Sequence, residues 1–561
     1  MGCSFIFAIV FALVTHAICR RYEPSALAVS YGGVALYMTA ATYSFGTTGA
    51  TLVTALTSAT AFNVVFFSTL LTSITAYRLS PWHLLAHFPG PYGAAISKWW
   101  LVRCILLKGG RHLELQRCHQ QYGPWLRVGP NELSVNDPAA IMPIYTKLSR
   151  SQFHQGAPAK ADTMITVVDR DRHLQRRRVW TKALSGDALE MYSLYAQKRL
   201  AQMFHHMDQE RSKGIEAIDV DRWINLFFMD LAGDIGFSGG FETMLAGEDK
   251  EGWMEMLGMG VRFVSAMGQV PWMRDIFALL PQPGPLETFQ SFVKAKVQQI
   301  RGEQESKSKR VDIMGALLDE DAGAVRLSTD EAVADAGLII VGATDTSVQT
   351  VLTALRFLST DAYRLRKLQR EVDSVFGGEH GDDISANVVE LAKLPYLNAC
   401  VNESFRSFPP GPAGPPRTTG PEGAEILGRW IPPHTTVHVP VYTMHRDPAN
   451  FGPRADQYIP ERWLSDEEKA QMIADIGKDS HLTAADLKPC NSQAFMPFSA
   501  GYGNCVGRAL GLQNVKLTLA TLVHRYTISH ERGFDPHKYD TSFREYGLWT
   551  HDRLRLSLGP R

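Results

Sequence analysis

The stretch FSAGYGNCVG, residues 498–507, places a single cysteine among three glycines, an alanine and a serine. A structural cysteine packs against its neighbours and gains nothing when they are stripped away. A cysteine that must present its sulfur to something large and flat needs small neighbours. Cys505 has that setting, and the other six cysteines do not.

The chain has 561 residues, room for a large core or several domains. Its 57 basic and 57 acidic side chains cancel, so no global field gathers nucleic acid. Cys3, Cys19, Cys104, Cys118, Cys400, Cys490 and Cys505 are scattered, and no two have CxxC spacing. That argues against a zinc or thioredoxin-like site. An odd, scattered set also argues against a secreted disulfide framework.

No charged residue occurs from Pro24 to Tyr77. A bilayer-spanning helix needs about 20 apolar residues, and three segments fit: about 3–19, 26–43 and 53–76. The second and third are rich in Gly, Ala, Ser and Thr, which suits close helix packing in lipid. Arg20 and Arg21 follow the first span and Arg78 the third. Three spans with an outside N-terminus put both basic sites, and the bulk of the chain, in the cytosol. The basic n-region of a cleaved signal peptide is missing. Residues 1–80 therefore read as a membrane anchor of up to three helices. Residues 81–100 read as a hinge, stiffened by Pro89 and Pro91. Residues 101–561 form the globular part.

In that part helical patterns dominate: 189–208, 286–301, 328–359, 361–376 and 396–407. Strand-like runs are short, near 125–135, 435–441 and 552–558. The expected class is mainly α with small β-sheets. The polar stretches 302–310 and 465–493 read as solvated linkers. Ser328 and Glu331 form a capping-box start. The proline-free run after them predicts one helix of about 45 Å. Midway stand small Gly342 and Ala343, then polar Asp345 and Thr346. A threonine there can bond the i−4 carbonyl and loosen the ladder. Glu403 and Arg406 lie one turn apart on a helix face. Arg462 sits in a proline-fixed turn, YIPERWL. The basic run 169–184 reads as an amphipathic helix, with His173, Arg177, Trp180 and Leu184 on one face and Arg172 and Arg176 on another.

Together these parts resemble the cytochrome P450 monooxygenases over almost all of residues 80–561. F-x-x-G-x-x-x-C-x-G appears as Phe498, Gly501, Cys505 and Gly507. The helix motif appears as Gly342-Ala343-Thr344-Asp345-Thr346-Ser347, ExxR as Glu403 and Arg406, and the PERF-like turn as Pro460-Glu461-Arg462-Trp463. Four motifs in the family's order are far more specific than any one. A dinucleotide loop competes weakly, because GxGxxG needs glycine where Val506 stands.

The resemblance implies a P450 fold behind N-terminal transmembrane helices, and a haem b whose iron is held by the Cys505 thiolate. Phe498 would shield the sulfur. Gly501 and Gly507 would let the backbone turn against the porphyrin and bring amides to the sulfur. Asp345 and Thr346 would be the distal pair that delivers protons during dioxygen activation. Glu403, Arg406 and Arg462 would form a buried structural network. Arg417, Arg177 and His173 would hold the haem propionates. Two departures stand out: His173 replaces a frequent tryptophan, and Gly503 replaces the usual Arg or His two places before the cysteine.

The implied activity is insertion of one oxygen atom from O2 into a lipophilic small molecule, at the endoplasmic reticulum membrane. A fungal-type entry sequence, RLSPWHLLAHFPGPYG, points to terpenoid or alkaloid biosynthesis. The chain shows no flavin or nicotinamide domain. NADPH–cytochrome P450 reductase, with cytochrome b5 as a second donor, would supply electrons, docking on helix 170–182 with Arg508 and Lys516. No nucleic acid partner is expected. The rival readings are a haem-thiolate isomerase or dehydratase that needs no reductase, and a non-catalytic haem-binding membrane protein.

Overall fold

The fold is seen in a computed structural model describing residues 2–20, 24–48, 51–156, 159–281, 284–305, 312–319, 326–376, 384–476 and 482–561. It opens with three helices, α1 (Gly2–Cys19), α2 (Ala26–Thr48) and α3 (Leu52–Leu79). Thr51 caps α3 by accepting from Thr54 N–H. α1 and α3 run parallel, with Phe7 beside Phe62 and Phe11 beside Phe66. At their far ends His16 Nδ1 lies 2.7 Å from Ser73 Oγ, and Arg20 donates to the Tyr77 hydroxyl at 3.0 Å. α2 lies against α3, where the Tyr37 hydroxyl meets Thr60 at 3.3 Å. Ala8, Ala12, Ala55 and Ala59 are buried between helices, while Ile6, Phe7, Val34 and Val53 face outward. Leu52–Leu79 is long and apolar enough to cross a membrane, and Phe5–Cys19 is a shorter apolar helix.

Residues 81–100 join this bundle to the rest. Arg78 donates to the Ile96 carbonyl at 2.6 Å, and Arg127 donates to the Arg78 carbonyl at 3.1 Å. Beyond them helices outnumber strands, as expected. The predicted helices appear as Asp187–Ser212, Gly284–Glu305, Ala362–Phe376 and Pro395–Ser407. The five-stranded sheet gathers Trp125–Gly129, Glu132–Val135, Thr436–His438, Arg417–Thr418 and Ser149–Arg150, in that order. Its last two strands are antiparallel and place Arg150 directly opposite Arg417.

The Ser328 capping box is present, with both reciprocal bonds. The single helix expected over 328–359 is instead two, Thr329–Ala343 and Asp345–Leu358. Thr344 departs from helical geometry at φ −91°, ψ −84°. Its N–H and its hydroxyl both go to the Ile340 carbonyl, at 3.1 and 2.8 Å. The Thr346 hydroxyl takes the Gly342 carbonyl at 3.0 Å. Side-chain competition for carbonyls thus bends the ladder at its most polar point. The pair threads the main core, against Val220–Phe237, Pro395–Ser407 and Arg508–Arg525.

Two further expectations change. The stretch 465–493 is not simply a linker, since it contains the helix Asp466–Ile476 and a short turn at Ala484–Leu487. Of 302–310, residues up to Glu305 extend a helix, and 306–310 lie outside the described residues. Arg176, on the same face of the basic helix as Arg172, does not share its exposure. It is buried and donates to Asp335 at 2.5 Å, joining helix Arg170–Ala183 to helix Thr329–Ala343. Asp335 also accepts from the Met164 N–H at 2.8 Å. Removing one partner of a buried pair leaves an uncompensated charge. Asp335→Ala is therefore expected to cost about 3–5 kcal/mol of stability. Joint replacement by Arg176→Met and Asp335→Leu should cost less, as thermal unfolding midpoints would show.

Candidate active site

The cysteine loop is folded back on itself. Cys505 N–H donates to the Phe498 carbonyl at 2.9 Å, closing the turn that begins the motif. The Phe498 ring packs edge-on against Phe405, and Arg508 lies over it. Gly501 has φ +67°, and a Cβ there would overlap the Tyr145 carbonyl. Glycine is required at 501 by this contact with the neighbouring helix, a reason the sequence did not expose. Gly507 precedes helix Arg508–Arg525, and its N–H hydrogen-bonds to Cys505.

Cys505 is accessible, whereas Cys118 and Cys400 are buried. It nevertheless sits deep enough that burial pushes its thiol pKa up, opposed by the Gly507 N–H and then by Arg177 and Arg508. An accessible sulfur with a backbone donor at its side suits ligation of a large flat group.

On helix Thr329–Ala343, Gly342 has open space where a Cβ would stand. Asp345 lies just past the bend, and burial alone raises its carboxyl to about 6. Thr346 is one residue further on, its hydroxyl turned back to Gly342. The two expected distal residues therefore sit together at the irregular turn.

The Glu403 network is fully interior. Arg406 grips Glu403 with two bonds of 2.8 Å, and Arg462 Nε adds a third at 3.1 Å. Burial alone would push the Glu403 carboxyl up, but Arg406 and Arg462 hold it below the usual range. Two donors were not anticipated: the Trp463 indole at 2.9 Å and the Ile459 N–H at 2.6 Å. Glu461 was also missed. It accepts from Arg364 at 3.0 Å and from the Tyr396 hydroxyl at 2.7 Å. The turn PERW was the available signal, since three of its four side chains carry polar atoms that a buried turn must satisfy.

The three residues expected to hold propionates differ in their settings. Arg417 is buried, donates to the Tyr502 hydroxyl at 3.3 Å, and has an unpartnered Nε. Arg177 donates to the Asn504 carbonyl at 2.5 Å and to its side chain, steadying the residue before Cys505. Both nitrogens of His173 have partners within the protein. Nδ1 lies 3.0 Å from the Met164 carbonyl, and Nε2 lies 3.3 Å from Arg150. Arg150 belongs to the same cluster and was not singled out. Among the described residues no carboxylate forms an ion pair with Arg150, Arg177 or Arg417. Buried cations without a counter-charge fit a ligand that brings anionic groups.

Phe543 and Trp549 pack with Phe408, and the Trp549 indole donates to the Pro409 carbonyl at 2.8 Å.

An accessible cysteine in a glycine-lined turn and a bent helix bearing an acid–threonine pair are the features of a haem-thiolate enzyme. Comparison with known proteins agrees: the Cytochrome P450 family model matches residues 94–553. Cytochrome P450 67 of Uromyces fabae is 30% identical over 570 residues, covering 99% of each chain. A cytochrome P450 monooxygenase, FCK2, of Fusarium pseudograminearum is 30% identical over 82% of this chain and 80% of its own. Tryprostatin B 6-hydroxylase of Neosartorya fischeri is 29% identical over 84% of this chain and 81% of its own. The chain belongs to the cytochrome P450 family and is a monooxygenase-type oxidoreductase. Membership implies a haem held by a cysteine thiolate.

Glu403→Gln removes the counter-charge shared by two buried guanidinium groups. It is expected to cost about 3–5 kcal/mol and to yield protein largely free of haem, measured as the haem-to-protein ratio after purification.

Proposed function

We propose that Cys505 supplies the thiolate and that the protein hydroxylates a lipophilic small molecule of fungal secondary metabolism. The observation that carries this reading is the accessible Cys505 thiol with the Gly507 N–H beside it. One oxygen atom of O2 enters the substrate and the other leaves as water, consuming two electrons and two protons. When bound, the haem supplies the redox chemistry of O2 activation, and the thiolate's electron donation favours O–O cleavage.

The chain's own residues do the rest. Gly507 N–H hydrogen-bonds to the sulfur and tempers its donation. Arg177 fixes Asn504 and with it the cysteine turn. Arg417 holds a propionate with the guanidinium edge left free by Tyr502. Gly342 leaves room beside the bend. Asp345 carries protons from solvent to the distal side, and a carboxyl raised to about 6 both gives and takes a proton near neutral pH. Thr346 orients the final donor.

The names of the relatives support hydroxylation in fungal metabolism. NADPH–cytochrome P450 reductase is the proposed electron source. The exposed Arg170, Arg172, Arg178, Lys182 and Arg508 offer a basic docking face, with Arg176 excluded by burial. Residues 1–80 are the proposed anchor in the endoplasmic reticulum. The parallel placement of α1 and α3 supports three spans, with Arg20 and Arg78 on the cytosolic side beside the catalytic domain.

Reduced enzyme exposed to carbon monoxide is expected to show the thiolate-type Soret band, and Cys505→Ala to abolish it. With reductase, NADPH and isotopically labelled O2, product should carry one labelled oxygen; unlabelled product, or turnover without reductase, refutes the reading. Asp345 is protonated below about 6 and ionised above it. Product formed per NADPH should therefore fall as pH rises through that value, by up to about tenfold per unit where protonation limits. Asp345→Asn should flatten that dependence and lower the yield.

A further inference from the structure

Where the helical bundle joins the catalytic domain, a chain of contacts runs through Arg20, Tyr77, His83 and Arg127. Arg20, just past α1, lies over the Tyr77 ring at 3.9 Å and donates to its hydroxyl at 3.0 Å. The Tyr77 ring lies 5.1 Å from the His83 ring, and His83 Nε2 lies 3.3 Å from Arg127 Nη2. Arg127 in turn donates to the Arg78 carbonyl at 3.1 Å. Because α1 and α3 run parallel, Arg20 and Arg78 share one end of the bundle.

Arg127 fixes the joint. It is buried, and its side chain also donates to the Gly129 and Pro130 carbonyls at 3.3 and 3.0 Å. Its N–H takes the Pro89 carbonyl at 2.8 Å. A Cβ at Gly90 would overlap the Arg127 carbonyl, so the hinge lies directly against this strand. The charges gathered here are of one sign. Burial, then Arg127, Arg78 and Arg20, draws His83 down to about 4, so the ring adds no charge at neutral pH. Burial, then Arg78, draws Arg127 down to about 10. Among the described residues no carboxylate forms an ion pair with Arg20 or Arg127. A guanidinium buried among like charges is unfavourable until an anion joins it.

The neighbouring side chains suit the lipid–water boundary. Trp82 is 81% exposed, and Leu79 and Leu84 are exposed with it. Aromatic side chains favour that level of a bilayer, and juxtamembrane arginines attract anionic headgroups there.

We propose that Arg20, Arg78 and Arg127 form a binding site for the headgroup of an anionic phospholipid. Arg20, exposed at the bundle end, supplies the direct contact to the phosphate. Arg127 supplies charge from behind, with its hydrogen bonds directed to carbonyls. Leu79 and Trp82 meet the acyl chains. The bound headgroup neutralises the joint and holds the catalytic domain in one orientation to the bilayer. This inference rests on residues 1–80 being the membrane anchor.

The test titrates full-length enzyme in detergent with phosphatidylserine or phosphatidylcholine and counts bound lipid by native mass spectrometry. The parent is expected to bind one phosphatidylserine more tightly than phosphatidylcholine. Arg20→Gln should weaken phosphatidylserine about fivefold, the share of one arginine near a membrane surface, and leave phosphatidylcholine unchanged. Arg20→Lys, which keeps the charge without the fork, should lie between. Arg103→Gln removes an exposed arginine that is not among the charges facing His83, and should bind like the parent. The proposal is overturned if the parent binds both lipids equally, or if Arg20→Gln leaves phosphatidylserine binding unchanged. It is also overturned if Arg103→Gln weakens binding as much, which would mark general attraction to a basic surface. If Arg20→Gln yields no protein, Arg78→Gln decides by the same loss. Full-length protein that alkaline carbonate releases from membranes would instead refute the anchor reading itself.

Discussion

A carboxylate with no solvent exposure, Glu403, is the constraint on which the cysteine side of the molecule rests. Such a charge is tolerable only when its lone pairs are filled by donors that themselves carry charge. Arg406 and Arg462 do this, with Trp463 and the Ile459 amide taking the remaining positions. The arginines spend their other nitrogens on backbone carbonyls. Arg406 reaches His445, Ala455 and Gln457, and Arg462 reaches Phe451 and Arg454. One ion cluster thus ties helix Pro395–Ser407 to the irregular chain from 445 to 463. That same helix presents Phe405 to Phe498, where the cysteine loop begins.

Across the loop the opposite arrangement holds. Arg150, Arg177 and Arg417 gather near Gly503 and Asn504 without a protein carboxylate to pair with among the described residues. Where guanidinium groups serve the fold, as at 406 and 462, a glutamate neutralises them. At 150, 177 and 417 the partners are tyrosine, histidine, asparagine and backbone instead.

The distal side depends on a bend rather than on a charge. Thr344 and Thr346 both turn their hydroxyls to carbonyls four residues earlier, and the ladder opens between Ala343 and Asp345. The opened turn places an acid with a raised pKa beside the small residues Gly342 and Ala343. An irregular backbone and a buried acid coincide here, the first produced by the threonine hydroxyls and the second by the surroundings of Asp345.

The sequence by itself determined the class of fold and the motif residues, because glycine spacing, capping signals and ExxR are local patterns. Cys505, Glu403, Arg406, Arg462, Asp345 and Thr346 were all legible in it, as were most helix positions. The helix break at Thr344 was not, since Thr344 and Thr346 offer the same local signal and only the folded backbone decides which one breaks the ladder. Arg150, Trp463, Glu461 and the burial of Arg176 were equally hidden. Their partners lie tens to hundreds of residues away, and pairing at such separations leaves no periodicity to read. Tertiary structure alone brought Arg150 opposite Arg417 and set both against Gly503. The reason is steric as well as electrostatic: a glycine's missing side chain has meaning only once the groups that fill its space are known.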